Sequence, residues 1–289
     1  MKNKTYANRD VLEFYKKLPF NIYSDKAYAI ESLKSNNPIK IYPPLADIIK
    51  DEKNFYVLDL GCGAGWFANL LSYNFKNINV YGVDFNPIAI NFANEVKKEL
   101  NLKTNFLVED LFKINFKNLN LNTNEIDLIS SLGVLHHTNS CQEGIKKIIE
   151  LRPKFFLLGL YHKYGRKPFL DYFKELKIKY HHLNNREYED SLFKEYKKLD
   201  RRSLDDIHLK SWFKDQVLHP LETQHTLAEI SSIMLPTYEI ISTSVNKFNK
   251  INSLSEIINK EKKLYEYGVN QIKKNIYFPG FFVILAIRK

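Results

Sequence analysis

From about residue 55 the chain alternates short apolar runs with amphipathic segments, the pattern of strands and crossover helices in a parallel sheet. Phe55–Leu60 predicts a buried strand that ends at Gly61-Cys62-Gly63-Ala64-Gly65, with a helix from about Trp66. Ile78–Asp84 predicts the second strand. Asn86-Pro87 then supplies a capping side chain and a first-turn proline for a helix with Ile88, Phe92, Val96 and Leu100 on one face. Thr104–Val108 predicts a third strand ending at Glu109-Asp110, and Ile126–Leu132 a fourth, running into Gly133-Val134-Leu135-His136-His137. Thr138 or Ser140 caps a helix that carries Cys141, Ile145, Ile148 and Ile149 on one face. Phe155–Tyr161 is apolar throughout, which places it centrally in the sheet.

The alternation then stops for about 60 residues, in a polar, aromatic, helix-prone stretch. It resumes with a helix near Thr226–Leu235, a strand over Thr237–Val245, a helix over Leu254–Lys273 and a last strand over Gly280–Ile287. The expected plan is one α/β domain over residues 55–289 with a doubly wound, seven-stranded, Rossmann-like sheet. Residues 1–54 form an N-terminal extension over the active site, residues 162–225 a cap insertion, and residues 248–278 a helical insertion.

Composition changes this picture little. The longest apolar runs, Phe155–Tyr161 and Phe281–Ile287, are seven residues each, far short of the roughly 20 a membrane-spanning helix needs, so no membrane partner is expected. Two cysteines, Cys62 and Cys141, cannot build a disulfide framework, which points to a reducing cytoplasm. The net charge of +10 comes from 36 Lys and only 7 Arg, beside 29 Asn. Arg, not Lys, supplies the planar fork for bidentate contacts to bases and phosphates, so the charge is only weak evidence for a nucleic-acid partner, which is possible but not favoured.

The chemistry concentrates in Val57-Leu58-Asp59-Leu60-Gly61-Cys62-Gly63-Ala64-Gly65. Glycines at a strand-to-helix turn let a ligand approach the backbone and the helix N-terminus. Asp84 ends the next strand, where a carboxylate can accept hydrogen bonds from ribose hydroxyls. Nicotinamide-binding and methyl-donor-binding folds share both features. The bulky Trp66 stands where a dinucleotide fingerprint has its third small residue, and Asp59 sits where a carboxylate would meet a cation, not a diphosphate.

These residues resemble the class I S-adenosylmethionine (SAM)-dependent methyltransferases, over about 55–161 and the last two strands. The resemblance implies that Gly61, Gly63 and Gly65, with Cys62 as a small residue in the turn, wrap the methionine part of SAM, and that Asp59 faces its amino and sulfonium side. It places Asp84 on both ribose hydroxyls, Phe85 against the adenine, Asp110 on the adenine amino group with Leu111 beside it, and Ser131 and Leu132 along the methionine portion. Val134-Leu135-His136-His137 looks like the small-molecule and quinone branch of that family.

The fourth strand lacks the Asn/Asp-Pro-Pro-aromatic motif of enzymes that methylate exocyclic base or glutamine amides, and Tyr42-Pro43-Pro44-Leu45 precedes the first strand. His136, His137 and His162 leave strand ends at the ligand-binding edge and are candidate general bases, with a structural role in those loops as the alternative. Tyr161, Tyr164 and Arg166 follow the fifth strand, and His208, Trp212 and His219 lie in the stretch that includes Asp215, Glu222 and His225; these are candidate acceptor contacts. No metal-ligand spacing is present. The expected activity is methyl transfer to an O- or N-nucleophile of a small molecule. An RNA or protein methyltransferase, and a SAM-binding accessory protein without transfer activity, remain the alternatives.

Overall fold

The computed structural model describes residues 9–49, 54–119, 121, 125–203 and 205–289. Parts of the N-terminal extension, residues 1–8 and 50–53, therefore lie outside the described residues. Seven strands form one sheet in the order β3-β2-β1-β4-β5-β7-β6. They are β1 (Phe55–Leu60), β2 (Ile78–Asp84), β3 (Asn105–Val108), β4 (Leu128–Leu132), β5 (Phe155–Tyr161), β6 (Tyr238–Thr243) and β7 (Phe281–Arg288). β1 to β5 run parallel, and β7 lies antiparallel between β5 and β6. The order reverses between β1 and β4, and that switch point opens the crevice used by ligands in open α/β sheets.

Among the described residues four short helices precede the sheet: α1 (Arg9–Lys17), α2 (Lys26–Ser35), α3 (Pro38–Ile41) and α4 (Leu45–Ile49). The crossovers are α5 (Trp66–Asn74), α6 (Pro87–Glu99) and α7 (Cys141–Glu150). After β5 the chain leaves the sheet as α8 (Lys163–Tyr180), α9 (Asn185–Leu199) and α10 (Asp206–Phe213), then a π-helical turn over Lys214–Leu218. It returns through α11 (Leu227–Met234), and α12 (Leu254–Lys260) and α13 (Lys263–Lys273) fill the connection to β7. Apolar clusters pack on both faces of the sheet. A separate one, built on Phe169, Phe173, Leu192, Tyr196 and Phe213, gives the α8–α10 segment its own core.

Two expectations need correction. The predicted α6 face fails at Ile88, which is 46% exposed, while Ala89, Ile90, Ala93 and Val96 are buried. Small side chains are needed there: a Cβ on Gly65 would come within 2.5 Å of the Ala93 Cβ, and Gly65 itself has φ +74°. The single helix expected over Leu254–Lys273 is two. The break falls where Glu261 turns inward, its carboxylate accepting from the Leu227 N–H (2.7 Å) and the His162 ring (2.9 Å). Other ends shift by a residue or two, as helix and strand ends commonly do.

Candidate active site

A cavity of about 600 Å³ opens at the carboxyl ends of β1, β2 and β4. One wall is the strand edge: Asp59, Gly61, Cys62, Gly63, Asp84, Phe85, Asp110, Leu111 and Leu132 all line it. Gly61 has φ +73°, and a Cβ there would come within 2.5 Å of the Val134 side chain, so only glycine closes this turn. Asp84 is anchored from both sides, one oxygen accepting the Gly63 N–H (2.9 Å) and the other the Asn86 N–H (2.8 Å). Each oxygen keeps a second acceptor site, enough for two neighbouring hydroxyls. Asp59 is buried and accepts from the Ser130 hydroxyl at 2.7 Å. Burial without a cationic partner pushes the Asp59 carboxyl up to about 7 and that of Asp84 up to about 6. Burial also raises the Cys62 thiol, which is unsuited to act as a nucleophile.

Two residues expected at this wall are not on it. Gly65 is buried as the N-cap of α5, where its missing side chain lets Ala93 and Phe106 approach. Ser131 is fully buried inside β4 and contributes no lining atom.

The opposite wall comes from segments far apart in sequence. α1 and the turn after it supply Val11, Tyr15, Phe20, Asn21 and Tyr23, and the cap supplies Asp200, Arg202, His208, Trp212, Asp215 and Gln216. Tyr161, Tyr277 and Phe281 complete it. His208 stacks on Tyr23 (3.9 Å between ring centres), and its Nε2–H donates to the Asn21 side-chain oxygen at 2.6 Å. Trp212 donates to the same oxygen at 3.2 Å. Arg202 makes a two-pronged pair with Asp200 (2.9 and 2.7 Å) and lies over the Tyr277 ring.

The histidines separate by position. His137 lines the cavity, and its Nδ1–H donates to the Leu221 carbonyl at 2.8 Å, which leaves the lone pair on Nε2. Burial lowers its pKa to about 4, so the ring is neutral. His136 is packed behind it against Tyr161 and does not reach the cavity. His162 caps α8, its Nδ1 accepting from the Tyr164 and Gly165 N–H groups while Nε2–H donates to Glu261; both ring nitrogens are engaged away from the cavity. These placements remove His136 and His162 from the candidate bases. Tyr164 is half-buried outside the lining, and His219 supports the His137 ring from behind at 3.8 Å between ring centres. Arg166, expected to contact the acceptor, is fully buried and clasps the cap instead. It pairs with Glu222 through Nε (2.9 Å) and Nη2 (2.6 Å), donates to the Gln216 and Pro279 carbonyls, and stacks on Tyr161.

Sequence reasoning missed Tyr15 and singled out the segment around Asp215 without choosing that residue. A carboxylate between Trp212-Phe213 and Val217-Leu218 was the signal available. Asp215 is buried in the π-helical turn, and accepts from the hydroxyls of Tyr15 (2.5 Å) and Tyr161 (3.3 Å). Nothing local marks Tyr15, which lies 200 residues from its partner.

The sheet order, the glycine turn and the acidic strand ends together define a Rossmann-like α/β fold with a ligand crevice at its strand ends. Solved structures agree. The magnesium protoporphyrin IX methyltransferase of Synechocystis PCC 6803, solved with S-adenosylhomocysteine bound, is 16% identical, with a TM-score of 0.50 over 90% of this chain and 83% of its own. PKMT2 of Rickettsia typhi is 12% identical, with a TM-score of 0.56 over 94% of this chain and 55% of its own. At such identities the likeness concerns the fold. Residues 51–157 match the family described as a methyltransferase domain. Residues 51–157 are thus similar to a methyltransferase domain, within a fold shared with a methyltransferase solved with S-adenosylhomocysteine bound. An uncharacterized protein of Methanocaldococcus jannaschii is 28% identical over 111 residues, 38% of this chain and 42% of that protein. The match therefore spans less than half the length of that relative.

Among the described residues no three His, Cys, Asp or Glu side chains are grouped as a metal site, and no helix is long and apolar enough to cross a membrane.

Proposed function

We propose that the protein transfers the methyl group of SAM to a nitrogen or oxygen nucleophile of a small molecule. The observation that carries this reading is the two-walled cavity, with an acidic strand edge on one side and an aromatic cap on the other. Its volume of about 600 Å³ lies within the range of small-molecule sites. Among its described lining residues Arg202 is the only Lys or Arg, and it is paired with Asp200. A phosphate backbone would find no free cation here, which favours a small acceptor over RNA despite the lysine-rich surface.

In this reading Asp84 holds the ribose hydroxyls, Asp59 the amino group, and Gly61 and Gly63 admit the methionine portion. Phe85, Asp110 and Leu111 take the adenine. Bound SAM supplies an electrophilic methyl group on a positively charged sulfur. The two walls bring donor and acceptor into line and exclude water, and positioning of this kind accounts for much of the acceleration of a bimolecular transfer. His137, neutral with its lone pair on Nε2, takes the acceptor's proton.

The test is incubation with methyl-labelled SAM and a small-molecule extract, followed by identification of the labelled product. Label that appears only in RNA or protein fractions would overturn the choice of acceptor. Tight SAM binding with no transfer to any fraction would leave a donor-binding accessory protein.

A further inference from the structure

His137 and Asp215 meet at the cavity wall in an arrangement that calls for a particular ligand group. His137 Nε2 carries the lone pair, is buried, and has no hydrogen-bond partner. It stands 3.6 Å from Asp215 Oδ1, beyond a hydrogen bond. With its proton on Nδ1, His137 presents Nε2 as an acceptor, and Asp215 Oδ1 is an acceptor that already takes the Tyr15 hydroxyl. Two buried acceptors side by side with no donor between them are costly unless something supplies the protons.

The surrounding elements do not supply them. From α1, Tyr15 already donates to Asp215 Oδ1, and from β5 Tyr161 donates to Oδ2. His219 and His136 pack their rings against His137. Arg166 and Glu222, the nearest opposite charges, are committed to each other. Both donors to Asp215 are thus neutral, and its burial raises its pKa. The rings of Tyr15, Tyr161, Trp212 and Phe281 line the same cavity, a setting that suits an organic cation.

We propose that the acceptor nucleophile is an amine, its nitrogen held between His137 Nε2 and Asp215 Oδ1. This rests on the methyltransferase reading above. An ammonium group offers separate N–H donors to both atoms and neutralises the buried carboxylate. A hydroxyl has one proton and satisfies only one of them, while a carboxylate, phosphate or phenolate adds a third acceptor and is repelled. The step balances. The ammonium gives one proton to His137, whose imidazolium Asp215 stabilises. The freed nitrogen lone pair forms the N–CH3 bond as the S–CH3 bond breaks, its electron pair staying on sulfur as a neutral thioether. The product leaves as a methylated ammonium, and His137 returns its proton to water, one proton per methyl transferred.

The experiment uses three probes with one ring: benzylamine, benzyl alcohol and benzoate. Each is titrated into protein saturated with S-adenosylhomocysteine and labelled with 15N in its imidazoles, the His137 signal being assigned by its loss in His137→Gln. Benzylamine is expected to move the His137 Nε2 resonance and to bind tightest of the three. Its affinity should fall about tenfold or more in Asp215→Asn, the loss of one charged hydrogen bond. His137→Gln, which leaves the Tyr15–Asp215 contact in place, should weaken it as well, and serves if Asp215→Asn fails to fold. The proposal is overturned if benzylamine leaves the His137 resonance unmoved, if benzyl alcohol or benzoate binds as well, or if neither substitution weakens benzylamine. Calorimetry with S-adenosylhomocysteine, run separately, reports on the donor site; failure there would count against the methyltransferase reading, and the amine titration is then read on the free protein.

Discussion

The strand-edge wall and the cap both bury carboxylates, and they treat them in opposite ways. Asp59 and Asp84 sit at strand ends with hydroxyl and backbone donors but no cation, and their pKa values are pushed up. In the cap, Glu222 is gripped by Arg166 and Asp200 by Arg202, and both carboxyls are held below their usual range. Asp215 belongs to the cap by sequence and to the first group by environment. A buried charge matched within the fold has its work done by folding. One left unmatched beside a cavity is stable only at a cost, which a ligand of the right charge or donor pattern can offset.

The largest effect expected from this contrast is in the cap. Arg166→Ala strands Glu222 in the interior and should cost about 3–5 kcal/mol of stability. Chemical denaturation measures it, and SAM affinity of the folded protein should stay near that of the parent. A large loss of SAM affinity at unchanged stability would place Arg166 in the site after all. Next comes Asp84→Ala, which leaves the fold standing but should weaken SAM about 10- to 150-fold, or 1.5–3 kcal/mol. Equal affinity in calorimetry would dissolve the distinction between the two kinds of carboxylate.

The third expectation concerns pH. Asp59 titrates near 7 in the fold and near the ordinary carboxylate value when unfolded. Its contribution to stability is therefore complete below the ordinary value and is lost as pH rises toward 7. Binding of a cationic donor runs the other way: it needs the ionised form, so SAM affinity should fall as pH drops below 7, by at most about tenfold per unit. Calorimetry in two buffers of different ionisation enthalpy should also show proton release on binding at pH 6.5. The smallest effect is that of Tyr15→Phe, which removes one hydroxyl from Asp215 and should cost about 0.5–1.5 kcal/mol in thermal unfolding.

The contrast also explains what the sequence could reveal. The sheet and its glycine turn were legible because strand, turn and helix signals are local, and the acidic positions follow strand ends that hydrophobic runs mark. The α6 face was misread because packing against Gly65 selects alanines, which a search for large apolar residues passes over. In the cap the deciding partners are distant. Arg166 finds Glu222 56 residues on, and His162 finds Glu261 99 residues on. From sequence, a charged or imidazole side chain just past a strand looks the same whether it faces a cavity or a buried partner.

One residue spans that divide. The Tyr15 carbonyl accepts from the Asn86 side chain at 2.9 Å, at the end of β2, while its hydroxyl donates to Asp215 in the cap. The two grips share a single peptide unit and ring, so neither wall can lose its hold on α1 without disturbing the other. Release of α1 from one wall is therefore expected to disturb its hold on the other. In hydrogen-exchange terms, α1 and the π-helical turn should gain protection together when a donor analogue binds, although the proposed donor contacts are at the strand edge.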